Sequence, residues 1–278
     1  MRTKLFQAFL SLSVLSLGAF AQPVSPSAKG SDDQAANSVS PRAYLMPNDV
    51  SFAHIAVGGW WRTQFFLVNM SANSINYTLY FFDDNGNPMT LPIPMTSGGY
   101  SWNTSFTGTI AGNGENNFTA TNLDTVNTKT GQAILTYDHT QGDIGGFSVF
   151  QEVATNGQVY EATVPFSGTD SKLYLPFYHF EGYDSGVALA NPTNASTRIT
   201  IQALNNGGSI ILTDSSIVLA GYGHIAFDLL SRYPSLNNVR GNLYITSSSG
   251  ALSAVGLRFS PTGSYTTIPI MNWPGMFQ

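Results

Sequence analysis

Cysteine is absent from the 278 residues. That excludes a disulfide framework, a thiolate nucleophile, a cysteine metal site and a lipidated cysteine at an export cleavage site. Charge is scarce as well: 10% of residues are charged and the formal net charge is −5. The few Lys and Arg are scattered, which excludes the clustered basic surface that nucleic-acid phosphates or an anionic bilayer require. Long helical periodicity is missing; the one helix-like piece is Asp228-Leu229-Leu230-Ser231-Arg232, stopped near Tyr233-Pro234. Neither a Gly-x-Ser-x-Gly elbow nor a His-Glu-x-x-His pair occurs. No apolar tail follows Trp273, so no C-terminal anchor is expected.

What the chain does have begins with an export signal. Arg2 and Lys4 precede the mostly apolar run Leu5 to Phe20, and Ala19-Phe20-Ala21 gives a small-x-small site before Gln22. Residues 1–21 read as a signal peptide, with an uncleaved anchor as the alternative. Residues 22–50, rich in Ser, Pro, Ala, Asn and Asp, cannot bury enough surface to offset ordering and read as a flexible lead-in. The expected address is secreted: extracellular, periplasmic or cell surface, without membrane insertion after cleavage.

The remainder matches itself. At a shift of 122 residues Phe66-Leu67-Val68-Asn69 falls on Ala188-Leu189-Ala190-Asn191, Asp84-Asn85-Gly86 on Asn206-Gly207-Gly208, and Gly99-Tyr100 on Gly221-Tyr222. After a longer loop in the first copy, Gly131 to Thr136 matches Gly241 to Thr246, and Val164-Pro165-Phe166 matches Ile268-Pro269-Ile270. These landmarks predict a tandem duplication over 51–168 and 169–278. Strand signals fill both copies: 63–69, 75–82, 133–138 and 147–153, then 173–178, 187–191, 198–204, 243–247 and 254–259. Their spacing predicts an all-β chain of two antiparallel β-sandwich domains, Ig-like or jelly-roll-like. Ile199, Ile201 and Ala203 alternate with Arg198, Thr200 and Gln202, so that strand should have one wet face. Phe65-Phe66-Leu67-Val68 is apolar on both sides and belongs in a sheet centre or under the neighbouring domain.

The segments "HIAVGGWWRTQFFLVN" (54–69), "FFDDNGNP" (81–88), "GVALANPTNAS" (186–196) and "GALSAVGLRFSPTGSYTTIPI" (250–270) together resemble a family of secreted bacterial proteins, β-rich and often repeated. The resemblance covers both copies. It implies export and a sandwich fold, and it assigns no catalytic residue.

Chemistry-bearing residues are few. Asp83, Asn85 and Asn87 have the alternating oxygen spacing of a calcium loop, so weak Ca²⁺ binding is one reading. The other is a hairpin turn, because the second copy keeps Asn205-Asn206-Gly207-Gly208 and drops every carboxylate. No other cofactor is expected. Of the histidines His54, His139, His179 and His224, His179 has the best local constellation, with Glu181 and Asp184 close by and Ser185 adjacent; a polar loop rich in aromatics is the favoured account of that stretch. A hydrolase would need two of Glu152, Glu161, Glu181 and Asp184 within catalytic reach in a cleft. Aromatics are the more telling class. Trp60 and Trp61 follow Gly58-Gly59; at the same shift Trp61 falls on Tyr183, Tyr100 on Tyr222 and Trp102 on His224. These seven residues form a candidate ligand-binding set for a glycan, against a structural reading in which each fills the same core gap twice. Asn-x-Ser/Thr sequons at Asn69, Asn76, Asn103, Asn117 and Asn194 arise readily in an Asn- and Thr-rich chain and carry little weight if the source is bacterial, as the resemblance implies.

The expectation is an exported, non-enzymatic binding, adhesion or envelope-associated protein whose partner is a glycan or another surface protein, with no nucleic acid. A carbohydrate-binding module is the alternative and a glycoside hydrolase the third.

Overall fold

A computed structural model of the chain describes residues 50–95, 97–121, 127–140, 142–153, 157–166 and 169–272. The expected signal peptide and nearly all of the lead-in lie outside the described residues. Most of the described residues are strand, in antiparallel sheets, and very few are helical. The first half supplies β1 (Val50–Gly58), β2 (Trp61–Asn69), β3 (Ile75–Asp83), β4 (Leu91–Pro94), β5 (Tyr100–Asn103), β6 (Ser105–Ile110), β7 (Glu115–Ala120), β8 (Thr128–Tyr137), β9 (Ile144–Val153) and β10 (Val159–Pro165). The second supplies β11 (Lys172–Tyr178), β12 (Asp184–Ala190), β13 (Thr197–Asn205), β14 (Ile210–Leu219), β15 (His224–Asp228), β16 (Arg240–Ser247), β17 (Ser253–Phe259), β18 (Tyr265–Ile268) and β19 (Met271–Asn272). One helical turn, α1 (Leu229–Arg232), follows β15 and is capped by the Asp228 carboxylate, as its sequence indicated.

Two sheets make the first sandwich. β1, β8, β3 and β6 pair in that order, and β7, β2, β9 and β10 pair in that order. The two sheets touch through the backbone at a single corner, where Gly58 lies opposite Trp61. Gly58 has φ of +109° there, and an added Cβ would sit 2.1 Å from the Asn127 carbonyl oxygen, so only glycine fits the bend. The second sandwich uses the same scheme: β11, β16, β13 and β14 on one side, β15, β12, β17 and β18 on the other. β4 and β5 form a separate hairpin that the second half lacks.

Side chains repeat along with the strands. Asn69 closes β2 and is buried; its Nδ2 donates to the carbonyls of Asn73, Ile110 and Ala111, while Oδ1 accepts from the Ser71 amide and hydroxyl. Asn191 follows β12 and does the same with the Ala195 and Ala220 carbonyls and with Thr193. An amide suits this place because it offers two donors and an acceptor to loop backbone groups that no strand can pair.

The structure corrects one part of the self-match. Gly99-Tyr100 does not correspond to Gly221-Tyr222; Gly112-Asn113 does. An added Cβ at Gly112 would lie 2.0 Å from the Ala72 carbonyl, and one at Gly221 2.1 Å from that of Asn194. Asn113 and Tyr222 both have φ near +58°, at 57° and 59°, and their amides donate to Ser71 and Thr193. The inserted hairpin lies before this loop, so an ungapped shift lands on the wrong glycine. Tyr100 and Trp102 therefore have no partners in the second half, whereas Trp61 and Tyr183 hold equivalent places.

Each sandwich has its own core: Phe52, Phe65, Leu67, Leu79, Phe81 and Leu135 in the first, and Leu175, Leu189, Ile199, Ile201, Leu243 and Ile245 in the second. Alternation along β13 sends Ile199, Ile201 and Ala203 inward and leaves Arg198, Thr200 and Gln202 on the wetter face. β2 lies between β7 and β9, yet its outer face is only partly covered, with Val68 exposed. A third apolar cluster joins the two sandwiches. Ala53, Ala56, Trp61 and Phe150 of the first pack with Ala188, Ala226, Val255 and Tyr265 of the second. Alanines at this seam let the strands approach closely.

Candidate functional site

Two places concentrate polar or aromatic groups that packing alone does not require. The first is the β4–β5 hairpin. Pro92 and Pro94 cannot donate to a ladder, so β4 pairs with β5 alone. Gly98 and Gly99, both at positive φ, turn the chain, with the Met95 amide bonded to the Gly99 carbonyl. Leu91 and Ile93 point into the first core. Because side chains alternate, Pro92, Pro94, Tyr100 and Trp102 occupy the opposite face, with Trp102 directly across from Pro92 and Tyr100 across from Pro94. Tyr100 is 40% and Trp102 55% exposed. Two residues along a strand, their Cα atoms stand about 7 Å apart. Ser101 and Asn103, hydrogen-bonded to each other, project from the other face of β5, across from Ile93 and Leu91.

The other predicted ligand residues do not join this face. Trp60 is exposed but sits at the β1–β2 corner, while Trp61 is 4% exposed and packs on Tyr265 in the seam. Tyr183 lies under the Arg258 guanidinium, 3.8 Å from its ring centre. Tyr222 stacks on Phe82 at 4.6 Å across the seam, which helps hold a bulky residue in the left-handed region. His224 is buried. The seven-residue aromatic set is thus dispersed: Trp61, Tyr222 and His224 serve the seam, Tyr183 packs on Arg258, Trp60 stands at a corner, and only Tyr100 and Trp102 share an exposed face.

The second place is the seam itself. The turn after β3 is built by Asp83, whose Oδ1 accepts from the amides of Asn85 and Asn87, just as Asn205 Oδ1 accepts from Gly207 and Ser209. Gly86 and Gly208 supply φ of 82° and 80° in the two turns. Asp84, next in line, leaves the turn and enters the seam. Its Oδ1 is 2.7 Å from His224 Nδ1, and both its oxygens accept from the Thr130 hydroxyl. His224 Nε2 is in turn 2.9 Å from His54 Nδ1, with the two rings stacked. Gln132 Nε2 reaches the Asn191 carbonyl at 2.8 Å, and the His224 amide donates to the Asp84 carbonyl. Burial pushes the His54 imidazole well below its ordinary range, His224 adds to this, and Asp84 opposes it. Sequence spacing gave no hint of the trio, because His54 and His224 are 170 residues apart.

A further polar group lies inside the second sandwich. His179 Nδ1 meets the Leu236 carbonyl at 3.1 Å, and its Nε2 points to Asp184 Oδ1 at 3.5 Å. Asp184 is hydrogen-bonded to Asp228, a residue the sequence did not single out. Burial first, then the bond and charge of Asp228, pushes Asp184 up to about 8. Burial also lowers His179. The remaining acids of the hydrolase reading stand apart. Glu152 is buried beside the seam and raised by desolvation, Glu161 is exposed on β10 beside Gln151, and Glu181 is exposed in a turn. Among the described residues no group of three or more His, Asp or Glu is placed to hold a metal ion, and no helix is long and apolar enough to cross a membrane.

No family model and no curated protein matches the chain. Among solved structures, a likeness is found to the M60 catalytic domain with the CBM51-1 and CBM51-2 domains from Clostridium perfringens ZmpB. It has 8% identity and a TM-score of 0.15, over 69% of this chain and 30% of that one. At that score it carries nothing over to this chain.

Proposed function

We propose that the chain is an exported, non-enzymatic binding protein that engages a polysaccharide through the β4–β5 hairpin. The observation behind this is the inserted hairpin itself, with Tyr100 and Trp102 side by side and exposed on one face. Aromatic faces take up the C–H faces of sugar rings, and the Tyr100 hydroxyl and the Trp102 indole N–H add polar tips on the same face. The two sandwiches act as the mount, and we read their shared strand scheme as the product of duplication. The placement of the acids supports a reading without a hydrolytic step: Glu152 is buried, Glu161 and Glu181 are exposed on separate elements, and Asp184 is tied to Asp228 beside the cap of α1.

The full mature chain should be retained by at least one member of a panel of insoluble polysaccharides and envelope preparations, with a change in tryptophan fluorescence. Each ring contributes about 1 kcal/mol, so Tyr100→Ala with Trp102→Ala should weaken binding by roughly tenfold or more. Both rings are exposed, so thermal stability should barely move. Equal binding by the double variant, or no retention on any polymer, would end the proposal.

A further inference from the structure

The seam contains an arrangement that tolerates only a limited number of protons. Asp84 Oδ1 accepts from His224 Nδ1, so that nitrogen carries a hydrogen. In the neutral ring Nε2 is then a lone pair, and the 2.9 Å contact requires His54 Nδ1 to donate to it. One added proton leaves this chain of bonds intact, with Asp84 as counter-charge. A second would set two N–H groups head to head between two buried cations. His54 and His224 are 2% and 3% exposed, so water cannot screen that repulsion.

We propose that the seam is a proton-sensitive joint: it closes when the His54–His224 pair holds at most one proton, and acid releases the two sandwiches from each other while each stays folded. Separate cores on either side make this a motion between units rather than unfolding. Apart from His54, β1 has no ionisable residue. The ionisable groups on the elements packed around it are few. β15 brings His224 and, about 13 Å further along the strand, Asp228. The β3 turn brings Asp83 and Asp84. Lys129 of β8 is bonded to the Thr90 carbonyl, and Tyr137 lies at the far end of that strand. Arg62 of β2 is exposed, Glu152 of β9 is buried and its pKa raised by desolvation, and Asp184 of β12 and Arg258 of β17 are engaged with Asp228 and Tyr183. Among the described residues Asp84 is the carboxylate bonded to the pair, and it is the counter-charge for the first added proton.

The linkage has a definite sign. In the closed seam His54 resists protonation, while a solvated imidazole titrates near the ordinary histidine value of about 6.5. Closure is therefore fully favoured above that value and is lost as pH falls below it, by about tenfold per pH unit for each proton taken up.

The cysteine-free sequence makes a distance measurement simple. Thr107→Cys on β6 and Thr213→Cys on β14, both exposed, place one spin label on each sandwich of the full chain. The interlabel distance should be narrow at pH 7.5 and broaden reversibly by pH 5, with far-ultraviolet circular dichroism unchanged. His54→Gln with His224→Gln should abolish the response. Should that variant fail to close even at pH 7.5, the wild-type histidine proton resonances decide the matter: His54 and His224 must titrate together with the opening. His179→Gln is the control, since its buried imidazole lies within the second sandwich and should leave the seam response unchanged. A distance that stays narrow down to pH 4.5, an acid response equal in wild type and double variant, or histidines that titrate independently of opening would overturn the joint.

Discussion

Replacing Asn191 by alanine is expected to cost the second sandwich about 3–5 kcal/mol, since each buried group left without a partner costs roughly 1–3 kcal/mol. The Ala195 and Ala220 carbonyls lose their donor, and the Thr193 amide and hydroxyl lose their acceptor. Asn191 is fully buried, so water reaches the gap poorly. Asn191→Asp should be at least as damaging despite its nearly identical shape. It keeps the acceptor toward Thr193 but turns an anionic oxygen toward two carbonyl oxygens at the positions where Nδ2 now lies 2.7 and 2.8 Å away. Asn69→Ala should act similarly on the first sandwich, where three carbonyls are orphaned. Urea unfolding followed by amide exchange in each half checks this, the loss falling mainly on the half that carries the substitution. A loss below about 1 kcal/mol at Asn191 would mean that the clamp is dispensable.

Asp184→Asn is expected to stabilise the protein, and increasingly so as pH rises. In the unfolded chain this carboxyl ionises near 3.8; in the folded one it holds its proton to about 8. Between those values folding takes up a proton, so the wild type loses stability as pH climbs from about 4 to 8 and levels off beyond. An asparagine keeps a donor toward Asp228 and an acceptor toward the Ser185 amide without requiring that proton. At roughly 1.4 kcal/mol per unit the ceiling is several kcal/mol; with the side chain 19% exposed, we expect about 2–3 kcal/mol at pH 8.5 and little at pH 4. His179, whose value is lowered, works in the opposite direction below about 6.5 and is common to both proteins, so the difference between them isolates Asp184. Parallel stability profiles from pH 4 to 9 would refute the assignment.

The strands were legible in the sequence where side chains alternate or run apolar. Residues 75–82, 173–178 and 198–204 fall within β3, β11 and β13, because burial on one face leaves a period of two in the text. Strands such as β5, β6, β7 and β14 were not legible. Their residues are largely exposed, whether polar, as Ser105, Thr107, Asn116 and Ser215, or apolar, as Trp102, Ile210 and Val218, so pairing with a neighbour rather than burial defines them. The acidic turn illustrates the same limit on a smaller scale. Self-comparison read Asp83 as a turn residue, and its bonds match those of Asn205. Asp84 drew no separate notice, since its partner His224 is 140 residues away and only the packing of two sandwiches brings them together. Trp61 and His224 were legible as repeated or polar positions, but nothing local told that a domain seam would bury them.

That seam also has a direction. One sandwich offers the turn acid, the hydroxyl, the amide and the first histidine; the other answers with His224 and the carbonyls of Asn191 and Gly223. Such a head-to-tail contact has no closing symmetry, and two like modules that possessed both surfaces would add end to end without limit. Here the register of the second sandwich puts Pro176 where His54 stands, Asn206 in place of Asp84, Arg240 in place of Thr130 and Asn242 in place of Gln132. Its corresponding end cannot grip another copy by the same bonds. The contact that fastens the first module to the second is thus spent once, and the pair is protected from growing into a filament.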